Sequence, residues 1–235
     1  MNLSVLWDLR GIMRRHTLSL IGSYTDDDAI IFEFTLPKGL RWEAGQHGLF
    51  TLPRKKVHGQ RWRAFSIASV PEEGCVRIAT KIPETPSSFK QVLRSFVPGD
   101  TITLYGPYGW LRLQDTTTPV ICVAGGIGIT PFRALFKSFE QTNTRIVELV
   151  YACPQTYYFK EFLDEVAQKD PHIRITYTRT VEETNAAITQ AVHAHGTESY
   201  YLISGAPGMI KGVGALLRAQ RVPRQRILSD SFRGY

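Results

Sequence analysis

Two short stretches carry residue types whose spacing points to chemistry. The first, Arg63-Ala64-Phe65-Ser66-Ile67-Ala68-Ser69, sets a guanidinium fork suited to phosphate, an aromatic surface and a hydroxyl on one β-rich run. The second, Gly125-Gly126-Ile127-Gly128-Ile129-Thr130-Pro131, follows the apolar run Val120-Ile121-Cys122-Val123-Ala124. Glycines where a strand turns into a helix let backbone approach a phosphate, and the helix start supplies free amides. The pair reads as a flavin seat and a nicotinamide-nucleotide seat with electrons moving between them. Each also has a plainer reading, an ordinary strand and a tight turn, because the glycine run is not the G-x-G-x-x-G fingerprint. Arg63 and Ser66 lie three apart, so simple alternation puts them on opposite faces. A twist or bulge in the strand is expected to bring both to one ligand.

Two further turns supply context. Pro86-Ser87-Ser88 opens a predicted helix over residues 87–93, whose hydroxyls and free amides suit a pyrophosphate. Ser204-Gly205-Ala206-Pro207-Gly208-Met209 ends a later strand as the first glycine run does. Both glycine turns fall at carboxyl ends of predicted parallel strands, where open α/β sheets bind ligands.

The elements that must position these residues fall into two patterns. Alternating β-branched and aromatic runs at 16–21, 30–36, 48–52, 63–67, 76–81 and 101–105, with Asp26-Asp27-Asp28 as a turn, predict a six-stranded antiparallel β-barrel. After the threonine-rich stretch at 112–119, strands at 120–124, 145–151, 173–177, 200–203 and 227–228 alternate with helices at 130–140, 158–168, 182–193 and 207–219. That pattern predicts an α/β domain with a parallel sheet. The expected organisation is a strap over 1–15, a flavin-binding barrel over 16–114 and a nucleotide-binding domain over 115–235. The strap carries Leu3, Leu6, Trp7, Arg10, Arg14 and Arg15. It reads either as a segment packed on the barrel or frayed, or as a short amphipathic membrane-surface helix.

Composition narrows the classes. Of 235 residues 43% are hydrophobic, enough for ordinary cores, and no apolar run reaches the roughly 18 residues of a membrane helix. The N-terminus lacks a signal-peptide pattern, so the expected location is cytoplasmic. Cys75, Cys122 and Cys153 have no metal-ligand spacing, and His193 and His195 have no third ligand, so neither an iron-sulfur cluster nor another metal site is expected. The formal charge of +7 favours anionic partners but lacks the dense basic tracts of a nucleic-acid binder.

The barrel, Arg-x-Phe-Ser, Ser-Ser at a helix start, Gly-Gly-Ile-Gly-Ile-Thr-Pro and a terminal aromatic, in this order, resemble the ferredoxin-NADP reductase family. The resemblance covers residues 16–235 and implies an FAD-binding barrel, FAD being preferred to FMN, and an NAD(P)-binding domain. Hydride would pass from NAD(P)H to the flavin. It assigns Arg63 to the flavin phosphate, Phe65 to the ring or ribityl chain, and Ser66 to a hydrogen bond near the ring atom that accepts hydride. Ala64, Ile78, Ala79 and Lys81 complete the barrel's cofactor contacts, with Ser87 and Ser88 on the pyrophosphate. Gly126, Ile127, Gly128, Thr130 and Pro131 lie under the nicotinamide nucleotide, with Gly205 and Met209 from the later turn. In the ending Asp230-Ser231-Phe232-Arg233-Gly234-Tyr235, Asp230 is the acid near the active centre and Tyr235 covers the flavin, swinging aside for nicotinamide. Ser204 departs from the pattern, standing where the family commonly has cysteine close to the nicotinamide.

Thr178-Arg179 resembles the family's pair for a 2′-phosphate, which favours NADPH; the alternative is an exposed arginine without a ligand. Arg54, Lys55, Lys56 and Arg61 read either as a solvated hairpin tip or as a docking patch for an acidic ferredoxin or flavodoxin. His47 lies near the flavin or serves the barrel alone. Free flavin, ferric chelates and a partner oxygenase are equally open as electron acceptors. A non-catalytic flavin- and nucleotide-binding regulatory module or complex subunit is the alternative from another class.

Overall fold

Residues 14–53, 55–140 and 143–230 are described by the computed structural model, and the chain divides into two units between Gly109 and Trp110. Most of the strap, Arg54 and the ending after Asp230, Tyr235 included, lie outside the described residues.

In the first unit, alternation of apolar and polar residues produces six strands with one buried face. They are β1 (Arg15–Asp26), β2 (Ala29–Thr35), β3 (His47–Thr51), β4 (Trp62–Ser66), β5 (Cys75–Lys81) and β6 (Thr101–Tyr108). The order is β4-β3-β6-β1-β2-β5, with every neighbouring pair antiparallel. Beyond the end of β4 the two edges meet: the Ala68 amide donates to the Arg77 carbonyl at 2.7 Å, and Ser69 Oγ accepts from the Arg77 amide at 2.9 Å. The sheet thus curls into the expected barrel, around Leu18, Phe32, Phe34, Phe50, Ile78 and Leu104. β1 and β2 continue to the Asp26-Asp27-Asp28 turn, where Asp27 takes φ +51°, a conformation aspartate tolerates. Helix α1 (Ser88–Arg94) buries Phe89 and Leu93 and is capped by Ser87.

The second unit alternates β7 (Val120–Gly125), α2 (Thr130–Phe139), β8 (Val147–Ala152), α3 (Lys160–Lys169), β9 (Ile173–Thr178), α4 (Val181–His195), β10 (Tyr200–Ser204), α5 (Pro207–Ala219) and β11 (Ile227–Asp230). Its sheet is parallel throughout, in the order β11-β10-β7-β8-β9. The chain steps from β7 to β8 and β9 on one side, then returns to lay β10 on the other. That reversal makes a crevice outside the carboxyl ends of β7 and β10.

β1 and β6 run past their expected ends, to Asp26 and Tyr108, and two later elements start after their expected beginnings for local reasons. β8 begins at Val147 because the buried Arg145 side chain is turned onto the Asp115 and Thr118 carbonyls. α3 begins at Lys160 because Phe159 takes φ +56° and the Tyr158 amide bonds instead to the Tyr151 hydroxyl. No helix among the described residues is long and apolar enough to cross a membrane.

Candidate functional site

On the barrel, β4 is the edge strand that carries the arginine, aromatic and hydroxyl. Its register with β3 runs without a break from Thr51↔Trp62 to His47↔Ser66, so no bulge falls in β4; the irregularity lies instead between β3 and β6, at His47/Leu49. Arg63 and Phe65 therefore share the face of Phe50, while Ala64 and Ser66 share that of Leu49 and His47. The expected local twist is replaced by strict alternation. Because β4 is an edge, one ligand laid along it can still reach both faces.

Phe65 departs from the role the resemblance gave it. Its ring packs against Phe50 at 5.6 Å and Phe89 at 6.2 Å in the barrel core, and 8% of its surface is exposed. Phe89 in turn carries the Arg63 guanidinium, 5.6 Å from its ring centroid. Phe65 thus supports the arginine through Phe89. Ile78 is likewise a fully buried core residue, opposite Phe32, because the alternation of β5 turns it inward. Ala79 lies on the other face of β5, opposite Ile31, and the Lys81 ammonium pairs with Asp28 at 2.8 Å.

At the start of α1 two cations, Arg63 and Lys90, act on each other. Burial, and then the charge of Arg63, lower the affinity of Lys90 for its proton; burial lowers that of Arg63 too. Lys90 Nζ donates to the Lys81 carbonyl at 2.8 Å, and Arg63 Nη1 to the carbonyls of Trp62 and Gln60 at 2.9 and 3.2 Å. Among the described residues neither side chain has a carboxylate partner. Ser87 Oγ accepts from the Lys90 amide at 3.4 Å and Ser88 Oγ from the His58 amide at 3.0 Å, so each hydroxyl hydrogen remains available to donate. Two cations and two hydroxyls with spare donors make chemistry for a phosphate or pyrophosphate. Lys90 is absent from the sequence assignment, although its place just inside a Ser-Ser helix start marks it.

Ser66 belongs to a row across three strands: it pairs with His47, which pairs with Tyr108. The His47 and Tyr108 rings meet edge to face at 4.5 Å. Burial pushes the His47 imidazole down to about 4, so it is neutral at physiological pH.

In the second unit, the two glycine turns lie side by side at the β7/β10 crevice. Gly126 takes φ +52° and opens a 3₁₀ turn, Gly126–Ile129, that runs into α2. A side chain at Gly128 would come within 2.5 Å of the Ser204 carbonyl oxygen and 2.7 Å of Gly205 Cα. Gly128 is thus required by close packing of one turn on the other, not only by access for a phosphate. Met209 packs its sulfur over Gly125. Thr130 is buried and donates to the Ile127 carbonyl at 3.1 Å; Pro131 follows in the first turn of α2.

Ser204 ends β10 as register partner of Asp230 on β11 and of Ala124 on β7. The Ser204 hydroxyl, 1% exposed, has no hydrogen-bond partner among the described residues. Burial raises the Asp230 carboxyl to about 8.

Of the Thr178-Arg179 pair, only the arginine is presented. The buried Thr178 hydroxyl is 2.8 Å from that of Thr184 on α4, so the threonine serves the fold. Arg179 reaches across the β8–α3 loop, donating to the Pro154 and Gln155 carbonyls at 3.2 and 3.3 Å and lying 5.7 Å from the Tyr157 ring centroid. Elsewhere in this unit, His195 Nε2, half-buried at the end of α4, lies 2.7 Å from Oε2 of the buried Glu148 on β8.

Comparisons with known proteins agree with this fold. Residues 122–214 match the family described as the oxidoreductase NAD-binding domain. One component of the Na(+)-translocating NADH-quinone reductase of Neisseria meningitidis, the subunit designated F, is 26% identical over 86% of this chain and 56% of its own length, and its counterpart from Klebsiella pneumoniae gives the same values. The chain thus spans about half the length of the curated relatives it matches. Among solved structures, the Amycolatopsis cytochrome P450 reductase GcoB has a TM-score of 0.78 at 19% identity, over 93% of this chain and 70% of that one. Ferredoxin-NADP+ reductase from Plasmodium falciparum with 2'P-AMP has a TM-score of 0.77 at 15% identity, over 93% and 97%. These last two are likenesses of fold. With its six-stranded antiparallel barrel and five-stranded parallel sheet the chain shares the fold of these reductases, and its residues 122–214 match the oxidoreductase NAD-binding domain.

Proposed function

We propose that this chain is a flavin-dependent NAD(P)H oxidoreductase, with FAD on the barrel and NAD(P)H on the α/β unit, the nicotinamide giving hydride to the flavin and electrons then passing to an acceptor. The carrying observation is the Arg63–Lys90 pair at the start of α1, two neighbouring cations with no carboxylate partner among the described residues. Such an arrangement is costly without a ligand and is relieved by a phosphorylated one. The residues fit FAD: Arg63, Lys90, Ser87 and Ser88 would hold its pyrophosphate, and the edge strand β4 would offer the half-buried Ala64 to the rest, with the buried Ser66 beside it. A bound flavin supplies the capacity to take two electrons as hydride and give them up again.

The chain's own groups do the remaining work. The glycine turn, with Thr130 and Pro131 behind it, seats the nucleotide's phosphates at the β7/β10 crevice, while Gly205 and Met209 shape its wall. Ser204 and protonated Asp230 offer polar contacts to the nicotinamide end, and Tyr235 gates access to the flavin. Neutral His47 beside Ser66 keeps positive charge away from that face of β4. Arg179 suits a 2′-phosphate, so NADPH is the donor we assign. Lys56 and Arg61 are exposed for an acidic carrier such as a ferredoxin or flavodoxin, whereas Lys55 is tied to Asp100 at 2.7 Å. The reading places the protein in the cytoplasm and assigns FAD binding to 16–114 and NAD(P) binding to 115–235. The protein should purify yellow and release FAD on denaturation. With NADPH present it should reduce ferredoxin, flavodoxin or a partner oxygenase component, at a rate that falls as salt is added. A colourless protein that takes up no flavin would refute the reading. A bound flavin that nicotinamide nucleotides never reduce would favour a regulatory or complex subunit.

A further inference from the structure

The β8–α3 loop connects the glycine turn to Arg179 through hydrogen bonds of two tyrosines. Tyr151, fully buried near the end of β8, donates its hydroxyl to the Gly126 carbonyl at 3.1 Å and accepts from the Tyr158 amide at 3.0 Å. Tyr157, next to Tyr158 in the chain, donates to the Thr178 carbonyl at 3.0 Å; the Cys153 amide donates to the same oxygen at 3.0 Å. Arg179 then closes back on the loop at Pro154 and Gln155. The Tyr151 and Tyr157 rings meet at 5.1 Å, so the two links form one packed unit. Gly126 at one end and Phe159 at the other hold left-handed conformations. A left-handed turn is kept in place when its polar groups are tied to rigid neighbours.

We propose that Tyr151 is a positioning residue that fixes the glycine turn against the β8–α3 loop, presetting the seat of a pyrophosphate-linked dinucleotide. The proposal rests on the nucleotide-binding reading above. Removing the hydroxyl takes this shared partner from the half-buried Gly126 carbonyl and the buried Tyr158 amide, so the turn relaxes and ligand binding must reorder it. Tyr157 acts on the other arm only, through the carbonyl that precedes Arg179.

The test compares the full-length, flavin-loaded parent with Tyr151→Phe and Tyr157→Phe. Calorimetric titration with ADP-ribose should show affinity about 3- to 10-fold weaker in Y151F and within about 2-fold of the parent in Y157F. Y151F should raise the dissociation constants of NADH and NADPH alike while leaving the limiting rate of flavin reduction within about 2-fold. Y157F should weaken NADPH relative to NADH. An effect on fold alone would not separate these ligands. If Y151F binds ADP-ribose as the parent does, the positioning role is wrong although the nucleotide reading stands. If the parent binds neither ADP-ribose nor nicotinamide nucleotide, both fall. Hydrogen exchange on the parent keeps the proposal testable should Y151F fail to fold. ADP-ribose should protect amides at 126–130 and 153–158 together, and protection confined to 126–130 overturns it.

Discussion

Ser204 and Asp230 are register partners at the carboxyl ends of β10 and β11, and both side chains are buried. A carboxyl raised to about 8 is a neutral hydrogen-bond donor near pH 7, placed next to a hydroxyl with no partner among the described residues. The two form a buried polar patch at the carboxyl ends of neighbouring strands, and in the proposed function this patch meets the nicotinamide end of the nucleotide.

The Asp230 carboxyl sets a pH dependence of stability. Its folded value lies above its ordinary value of 3.8, so the folded protein holds the proton more tightly and stability falls as pH rises from about 4 to about 8. Below that window the penalty is absent. Asp230→Asn should lose less stability than the parent between pH 5 and pH 8 in urea unfolding; equal losses would show that the carboxyl is not held neutral.

Arg63→Ala and Lys90→Met should each weaken FAD binding by about 10-fold or more, the scale of a lost charge-assisted hydrogen bond. Titration of flavin-depleted protein with FAD, followed by quenching of flavin fluorescence, checks this. Lys90→Met should leave the fold intact, because the methionine stem still covers the helix start and two neighbouring positive charges are reduced to one. Unchanged FAD affinity in both variants would remove the barrel's assigned ligand.

Arg179→Ala should lower the NADPH-to-NADH ratio of kcat/KM by about 10-fold. Thr178→Val should leave that ratio unchanged and instead cost roughly 1–2 kcal/mol of stability, because the Thr184 hydroxyl loses the Thr178 hydroxyl as a partner. Steady-state kinetics with both nucleotides, together with urea unfolding, separates the two effects. A ratio that moves with Thr178 but not with Arg179 would reverse the assignment.

Gly128→Ala should destabilise the second unit by about 1–3 kcal/mol, because its methyl meets the backbone of Ser204 and Gly205, which has no flexible end to yield. Gly126→Ala meets nothing within 4 Å but must hold φ +52°, at a cost of about 1–2 kcal/mol. The two variants should differ in kind: Gly128→Ala disturbs both glycine turns, so hydrogen exchange should quicken at residues 204–206 only in that variant.

Both units were legible in the sequence because their periodicities differ: the alternation of β2 and the apolar run of β7 leave little choice of class. The glycine turns were legible too, since a strand followed by Gly-Gly-x-Gly needs backbone approach of some kind. What approaches was not legible, because Gly205 lies 77 positions after Gly128 and only the β7/β10 pairing brings them together. Phe65 reads as a ligand wall until pairing with β3 shows which face it shares with Phe50. Thr178 reads as a phosphate contact until α4 places Thr184 against it. Tyr151 carries no local signal at all, since its partners lie on the preceding glycine turn and the following loop. Lys90 was the one missed group with a local mark, a cation three residues beyond the helix cap.

Anaerobic rapid mixing of the purified protein with NADPH or NADH tests the central claim most directly. Bleaching of the bound flavin's absorbance near 450 nm, saturating with nucleotide and faster with NADPH, is the predicted result, and Ser204 should be sufficient for it without the cysteine common in the family. A flavin that stays oxidised with both nucleotides would contradict the account.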